Sequence, residues 1–258
     1  MLPQPSSTAR ELELAALLVQ AHSTRRPIAA LSPTLVPEDA ASAYRVQREV
    51  LALRRETIAG WKLGAKSETG PIQGAPLPAS GVHPTLSTLQ RACFTRVGLE
   101  LEIGFLFGET LRPRDRPWVD SDVMRAIRSM VATIEIVSTR FEHWPAVDKL
   151  AQLADFQNHG ALLVSRPVPF DPDFNFVAPQ ASFQFNGKEL MAGVAANPAG
   201  DPRCLLPWLV EHCSKSGVTI DAGCVITTGS YSGMYFADGG GTATGVIEGL
   251  PPVILTLE

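Results

Sequence analysis

From Val97 to Phe107 the chain alternates. Val97, Leu99, Leu101, Ile103 and Phe105 fall on one parity, and Gly98, Glu100, Glu102 and Gly104 fall on the other. A period of two predicts a β-strand with one apolar face and one face carrying both carboxylates between glycines. Adjacent carboxylates repel, and an opposite charge relieves them; hard oxygen donors suit Mg²⁺, Mn²⁺ or Ca²⁺. A half-exposed strand with two solvated glutamates gives the same spacing. A second, β-branched run, Val131 to Val137, carries Glu135 at its centre. A charge inside such a run is almost never fully buried unless it is paired or bound to metal. Glu135 is therefore a third candidate ligand beside Glu100 and Glu102, or an ion-pair partner of Arg140 or Lys62.

The remaining pattern predicts helices at the start and strands thereafter. Thr8-Ala9-Arg10-Glu11 fits a capping box for a helix ending near His22. A second helix follows Pro37, with Glu38 and Asp39 at its positive end and a stripe of Ala43, Val46, Val50 and Leu53. Gln47 lies beside that stripe as a buried polar candidate. Ile58 to Gly64 reads as a short strand that carries Lys62, either a surface lysine or one beside an anionic site. Ser67 to Pro84 is rich in Gly, Pro, Ser and Ala and predicts a long loop of the lid type. Asp120 or Ser121 caps a helix with Val123, Ile127 and Met130 on its apolar side. Asp155 to Gly160 is a polar turn before a strand, Ala161 to Val164. Asn186-Gly187 predicts a type I′ hairpin. A helix spans about Cys204 to Ser214, and Val225 to Ser230 is a strand opening into a hydroxyl-rich loop suited to an anion. Gly245 to Gly249 and Val253 to Leu257 close the chain as a strand pair.

Composition narrows the function. The 258 residues and 45% hydrophobic content permit one large domain: a helical region over 1–56, then a β-rich domain over 57–258. A net charge of -4 argues against a nucleic-acid partner. No apolar run approaches the roughly 20 residues that span a bilayer, and Arg10, Glu11 and Glu13 interrupt any signal-peptide core. Cys93, Cys204, Cys213 and Cys224 lack CxxC spacing and read as free thiols of a cytoplasmic protein.

Five stretches occur in a familiar order: Ala43-Tyr44-Arg45-Val46-Gln47, Gly60-Trp61-Lys62-Leu63-Gly64, Glu100-Leu101-Glu102-Ile103, Ile134-Glu135-Ile136-Val137-Ser138-Thr139-Arg140 with Trp144, and Thr228-Gly229-Ser230. Together they resemble the 2-keto-4-pentenoate hydratases, which group with the 4-oxalocrotonate decarboxylases in the fumarylacetoacetate hydrolase superfamily. The resemblance covers about Ala40 to the end. It implies an α/β fold of the α+β type: a mixed, curved β-sheet roll with peripheral helices. It also implies Mg²⁺ or Mn²⁺ held by Glu100, Glu102 and Glu135, with Lys62 near the substrate. Thr228, Gly229 and Ser230 would receive a substrate carboxylate, and Gln47 joins them as a substrate-binding candidate. Dimers or larger homo-oligomers are implied, with a small 2-oxo acid as substrate and no membrane partner.

One departure stands out. Relatives of the hydratase type often carry an acid after the lysine strand, in a Pro-Asp-Phe-Gly-like context, whereas Gly74 to Gly81 here contains no carboxylate. Glu68 and His83 bracket that gap as substitutes, and Asp155 matches the family's Ala-Asp pattern. Three activities stay open: hydration of a 2-hydroxy-2,4-dienoate, decarboxylation of a 4-oxalocrotonate-like diacid, and a silent relative that binds an oxo acid or supports a partner enzyme. Hydrolysis of the fumarylacetoacetate type fits less well, with His143 and His159 candidates by residue type alone.

Overall fold

The computed structural model describes residues 6–258, so the first five residues of the expected N-terminal tail lie outside the described residues. Among these, five α-helices are present: α1 (Ala9–Thr24), α2 (Ala40–Arg54), α3 (Asp120–Ala126), α4 (Lys149–Ala154) and α5 (Leu205–Lys215). The strands are β1 (Ile58–Gly64), β2 (Gln73–Pro78), β3 (Val82–Pro84), β4 (Ser87–Leu89), β5 (Gly98–Phe107), β6 (Ile127–Val137) and β7 (His159–Val164). They continue as β8 (Val168–Pro169), β9 (Ala181–Phe185), β10 (Lys188–Glu189), β11 (Val225–Ser230), β12 (Tyr235–Phe236), β13 (Gly241–Ile247) and β14 (Val253–Leu257).

Two mixed sheets form the body. The larger runs β2-β1-β11-β5-β6-β7-β3, with β12 on β5 and β8 on β6; the smaller runs β10-β9-β13-β14-β4. Neither order closes on itself. The α/β architecture expected from the sequence is therefore present as two facing mixed sheets with few helices. The apolar parity of β5 explains the arrangement. Leu99, Leu101, Ile103 and Phe105 are fully buried and share a core with Phe183, Ala243, Val253 and Leu255 of the smaller sheet. Gly245 lets the sheets approach, since a Cβ there would lie 2.4 Å from Leu101 Cδ1.

A separate apolar cluster joins α1, α2 and α4 through Leu14, Leu18, Val46, Val50, Leu153 and Phe156. The capping box of α1 is complete: Glu11 N–H donates to Thr8 Oγ1 and Thr8 N–H to Glu11 Oε2. Asp39 caps α2 through Ser42 N–H at 2.7 Å. Asn186 and Gly187, at φ 51° and 76°, make the hairpin turn between β9 and β10.

Four local expectations are corrected. Ser67 to Pro84 is not a lid: β2 pairs along β1 and β3 joins β7, because Ala75 and Leu77 bury completely and bring their backbone into the sheet. The helix at Asp120 stops at Ala126, without a side-chain cap from Asp120 or Ser121. Ile127 and Met130 belong instead to β6, whose pairing with β5 overrides a helical spacing. Leu53 is 52% exposed, and Leu51 takes the inward place on α2.

The α1 cap yields a measurable prediction. Thr8→Ala removes the side-chain half of the box and should lower stability by about 1 kcal/mol. A urea titration followed by circular dichroism should show the midpoint falling with an unchanged slope.

Candidate metal centre

Sheet register assembles the site. Residues opposite one another on neighbouring strands share a face. Glu100 of β5 pairs directly with Glu135 of β6, and Glu102 with Thr133. On the other side Thr227 of β11 pairs with Gly104 of β5, and Lys62 of β1 pairs with Thr227. The face opposite the apolar core thus collects three carboxylates, one ammonium and two threonine hydroxyls. One oxygen from each of Glu100, Glu102 and Glu135 lies within 4.8 Å of the others.

Each carboxylate is held differently. Glu135 is 1% exposed. Its Oε1 accepts from Lys62 Nζ at 2.6 Å and from His159 Nδ1 at 3.0 Å, while its buried Oε2 has no hydrogen-bond partner. Glu102 Oε2 accepts from the Thr227 hydroxyl and from Gly229 N–H at 2.9 Å. Lys62 Nζ donates also to the Gln157 carbonyl at 3.2 Å. Of the two ion-pair partners open for Glu135, Lys62 is the one it has; Arg140 is engaged elsewhere.

The electrostatics follow from burial. Loss of water pushes Glu100 up to about 7, with Glu135 adding repulsion and Lys62 opposing. Glu102 is pushed up to about 8 by burial first, then by Glu135 and Glu100. Burial also acts to raise Glu135, but Lys62 and His159 together outweigh it and hold that carboxyl below its ordinary value. One positive charge faces three acids, so without a cation the other two carboxyls hold their protons to a higher pH than usual. An orphaned buried carboxylate oxygen, converging oxygen donors and a charge deficit fit a hard divalent cation.

The other candidates lie elsewhere. Asp155 is 1% exposed and clamps Arg140, which donates to it through its side chain and through its backbone N–H at 2.9 Å; Arg140 also reaches the carbonyls of His159 and Asp155. None of the hydrogen bonds of Asp155 reaches the carboxylate cluster. Gln47 donates to the Leu153 carbonyl at 2.7 Å, tying α2 to α4. Glu68 is exposed and packs beside Gly200, and His83 lines a cavity behind β7. Thr228 spends its hydroxyl on the Ile103 carbonyl, and Gly229 spends its N–H on Glu102. Ser230 donates to the Gly233 carbonyl at 3.1 Å. Sequence reasoning missed Thr227, although it shares parity with Val225 on β11 and its register with Lys62 marks it. A cavity of about 370 Å³ is bordered by Gly64, Gln73 and Gln157, the residue whose carbonyl accepts from Lys62.

No protein-family model matches the chain. It is 28% identical over 254 residues to the 2-keto-4-pentenoate hydratase of Paraburkholderia phymatum, covering 93% of this chain and 94% of that one. It is 29% identical to the hydratase of the same name from Burkholderia vietnamiensis, over 94% and 95% of the two chains. Along nearly its whole length the chain is thus similar to 2-keto-4-pentenoate hydratases. Its fold matches 4-oxalocrotonate decarboxylase from Pseudomonas putida G7 with a TM-score of 0.84, at 20% identity, covering 99% of this chain and all of that one. Solved structures of that decarboxylase hold calcium and acetate or magnesium and adipate. No helix among the described residues is long and apolar enough to cross a membrane.

Both raised carboxyls titrate higher in the folded chain than in the unfolded one. Folding therefore takes up protons, and the stabilisation, full below the ordinary carboxylate range, is lost as pH rises through about 7 to 8. Below about pH 7 the depressed histidines His22, His83, His159 and His212 work in the opposite direction; in chelator, the urea midpoint should therefore fall between about pH 7 and about pH 8.5, and a flat profile over that range would contradict the clustering. Asp155→Ala strands the Arg140 charge, and unfolding titrations should show a loss of about 3–5 kcal/mol, with the carboxylate cluster's cation affinity retained.

Proposed function

We propose that this chain is a divalent-metal-dependent lyase that adds water to a 2-hydroxy-2,4-dienoate or its 2-oxo-4-enoate tautomer, in the breakdown of aromatic compounds. The observation that carries the reading is the convergence of Glu100, Glu102 and Glu135 beside Lys62 in a chain related along nearly its whole length to 2-keto-4-pentenoate hydratases. Glu100, Glu102 and the free Oε2 of Glu135 are the ligands in this reading, for Mg²⁺ or Mn²⁺. Such a cation acts as a Lewis acid toward a chelating 2-oxo acid, an effect worth several kcal/mol.

The chain's own groups do the rest. Thr227 and the Gly229 N–H fix one oxygen of Glu102. Lys62, anchored by Glu135 and the Gln157 carbonyl, holds the substrate carboxylate or hands over a proton as the dienol becomes an unsaturated ketone. Water then adds at the far end of that ketone. Ser230, half-buried at the end of β11, becomes a donor for a substrate carboxylate on exchanging its bond to the Gly233 carbonyl. We further assign residues 1–56 to a helical region flanking a catalytic unit of 57–258, in a cytoplasmic homo-oligomer.

Decarboxylation of a 4-oxalocrotonate-like diacid is the second reading. It is favoured by β2, where Ala75 stands opposite Lys62 and no carboxylate occurs from Gly74 to Gly81. The acid expected of a hydratase in that region is missing.

One assay separates the two. Protein stripped with chelator is mixed with 2-hydroxypenta-2,4-dienoate, with and without Mg²⁺. The hydratase reading expects metal-dependent loss of dienoate absorbance and formation of 4-hydroxy-2-oxopentanoate. No turnover with Mg²⁺, together with CO₂ release from a 2-oxo diacid, would replace it with the second reading. Glu102→Gln should abolish both metal binding and activity in a folded chain; an active, metal-bound variant would sink the ligand assignment. Thr227→Val should weaken metal affinity by about 10–100-fold, read by calorimetric titration of Mg²⁺.

A further inference from the structure

A second cavity, of about 470 Å³, lies behind β7, between that strand, the segment Pro78–Gly81 and helices α1 and α2. Its volume is that of a small-molecule site. The wall has two characters. Leu18, Val50, Phe94 and Phe156 make an apolar portion, whereas Arg25, Arg54 and Arg140 bring three guanidiniums against one lining carboxylate, Asp155. Asp155 is consumed by Arg140, and Arg54 is shared with Glu56 and Ser80. Arg25, at the rim, has no partner among the described residues, so the wall keeps an unbalanced positive charge. His22, also in the wall, lies near Arg54 and Arg140 as well.

The third feature is His159, the wall shared by this cavity and the carboxylate cluster. Its side chain is 3% exposed. Its Nδ1 is bonded to the Glu135 carboxylate, an acceptor, so in the neutral ring that nitrogen carries the hydrogen and Nε2 is left bare. Nε2 is buried without a hydrogen-bond partner and lies against Gly81, also in the cavity wall, where a Cβ would come within 3.3 Å of it. A buried acceptor without a partner calls for a donor. Arginines call for an oxyanion, and the apolar wall calls for a hydrocarbon body.

We propose that this cavity is a second binding site, for an apolar-bodied hydroxy acid whose carboxylate lies among the arginines and whose hydroxyl donates to His159 Nε2. Nothing in this depends on the metal chemistry proposed above.

The test is calorimetric titration of chelator-treated full-length protein with benzoate, the three hydroxybenzoates, benzamide and inorganic phosphate. Chelation, repeated in the Glu102→Gln background, keeps carboxylates from being read at the metal centre. One-to-one binding of at least one hydroxybenzoate, tighter than benzoate, is expected, with no saturable heat from benzamide. Phosphate, lacking the apolar body, should bind more weakly. Arg25→Asn, which suits the left-handed backbone of φ 57° at that position, should weaken binding by about tenfold. Ser23→Trp, at an exposed position on the cavity rim, should block it, with the unfolding midpoint as a check on folding. Equal binding of benzamide, unchanged binding in Arg25→Asn, phosphate binding as tight as the hydroxybenzoates, or no saturable heat from any hydroxybenzoate would each overturn the proposal.

Discussion

Three carboxylates share one desolvated face with a single lysine, and that charge deficit constrains the structure around them. Water cannot relieve the repulsion where Glu102 and Glu135 are 2% and 1% exposed. The protein answers with specific partners: Lys62 and His159 on one oxygen of Glu135, and Thr227 and Gly229 on one oxygen of Glu102. Those partners come from three strands, β1, β7 and β11, and their positions depend on register. A slip of one residue in β5 would turn Glu100 and Glu102 into the apolar core. The ten paired positions between β5 and β6 make such a slip costly.

The supporting layers make that register rigid. The apolar parity of β5 is pinned by the second sheet, where Gly245 permits the close approach of Leu101. Behind the site, α2 is tied to α4 by Gln47, and the segment between α4 and β7 is locked by the Asp155–Arg140 clamp. Phe156, Gln157 and Asn158 all take positive φ in that segment, a conformation that L-residues hold only where their surroundings impose it. The outcome is a Gln157 carbonyl aimed at Lys62 and a His159 ring set between the carboxylate cluster and the second cavity. Polar residues with no place in the cluster thus position its second layer.

Much of this was readable beforehand where a signal is local. The alternation of 97–107, the lone acid in 131–137, the capping box at Thr8 and the Asn186-Gly187 turn each depend on neighbours in sequence, and each appears as expected. Failures came where distant pairing decides. Gly- and Pro-rich residues 73–78 look like a loop until β1 provides hydrogen-bond partners, and Ile127 and Met130 fit a helix until β5 recruits them. Thr227 carries no sequence mark beyond its parity, and its role exists only because β11 lies between β1 and β5.

The sequence by itself determined the inventory: three acids and a lysine on strands, apolar parities that require a covering layer, and helices confined to particular stretches. These are consequences of side-chain period and desolvation cost, which act locally. Tertiary structure alone decided which acid meets which cation, that Asp155 serves Arg140, and that a basic, apolar-walled cavity forms behind His159. Those outcomes depend on strand order and register, quantities that no single segment encodes, because they are settled by the summed packing of both sheets.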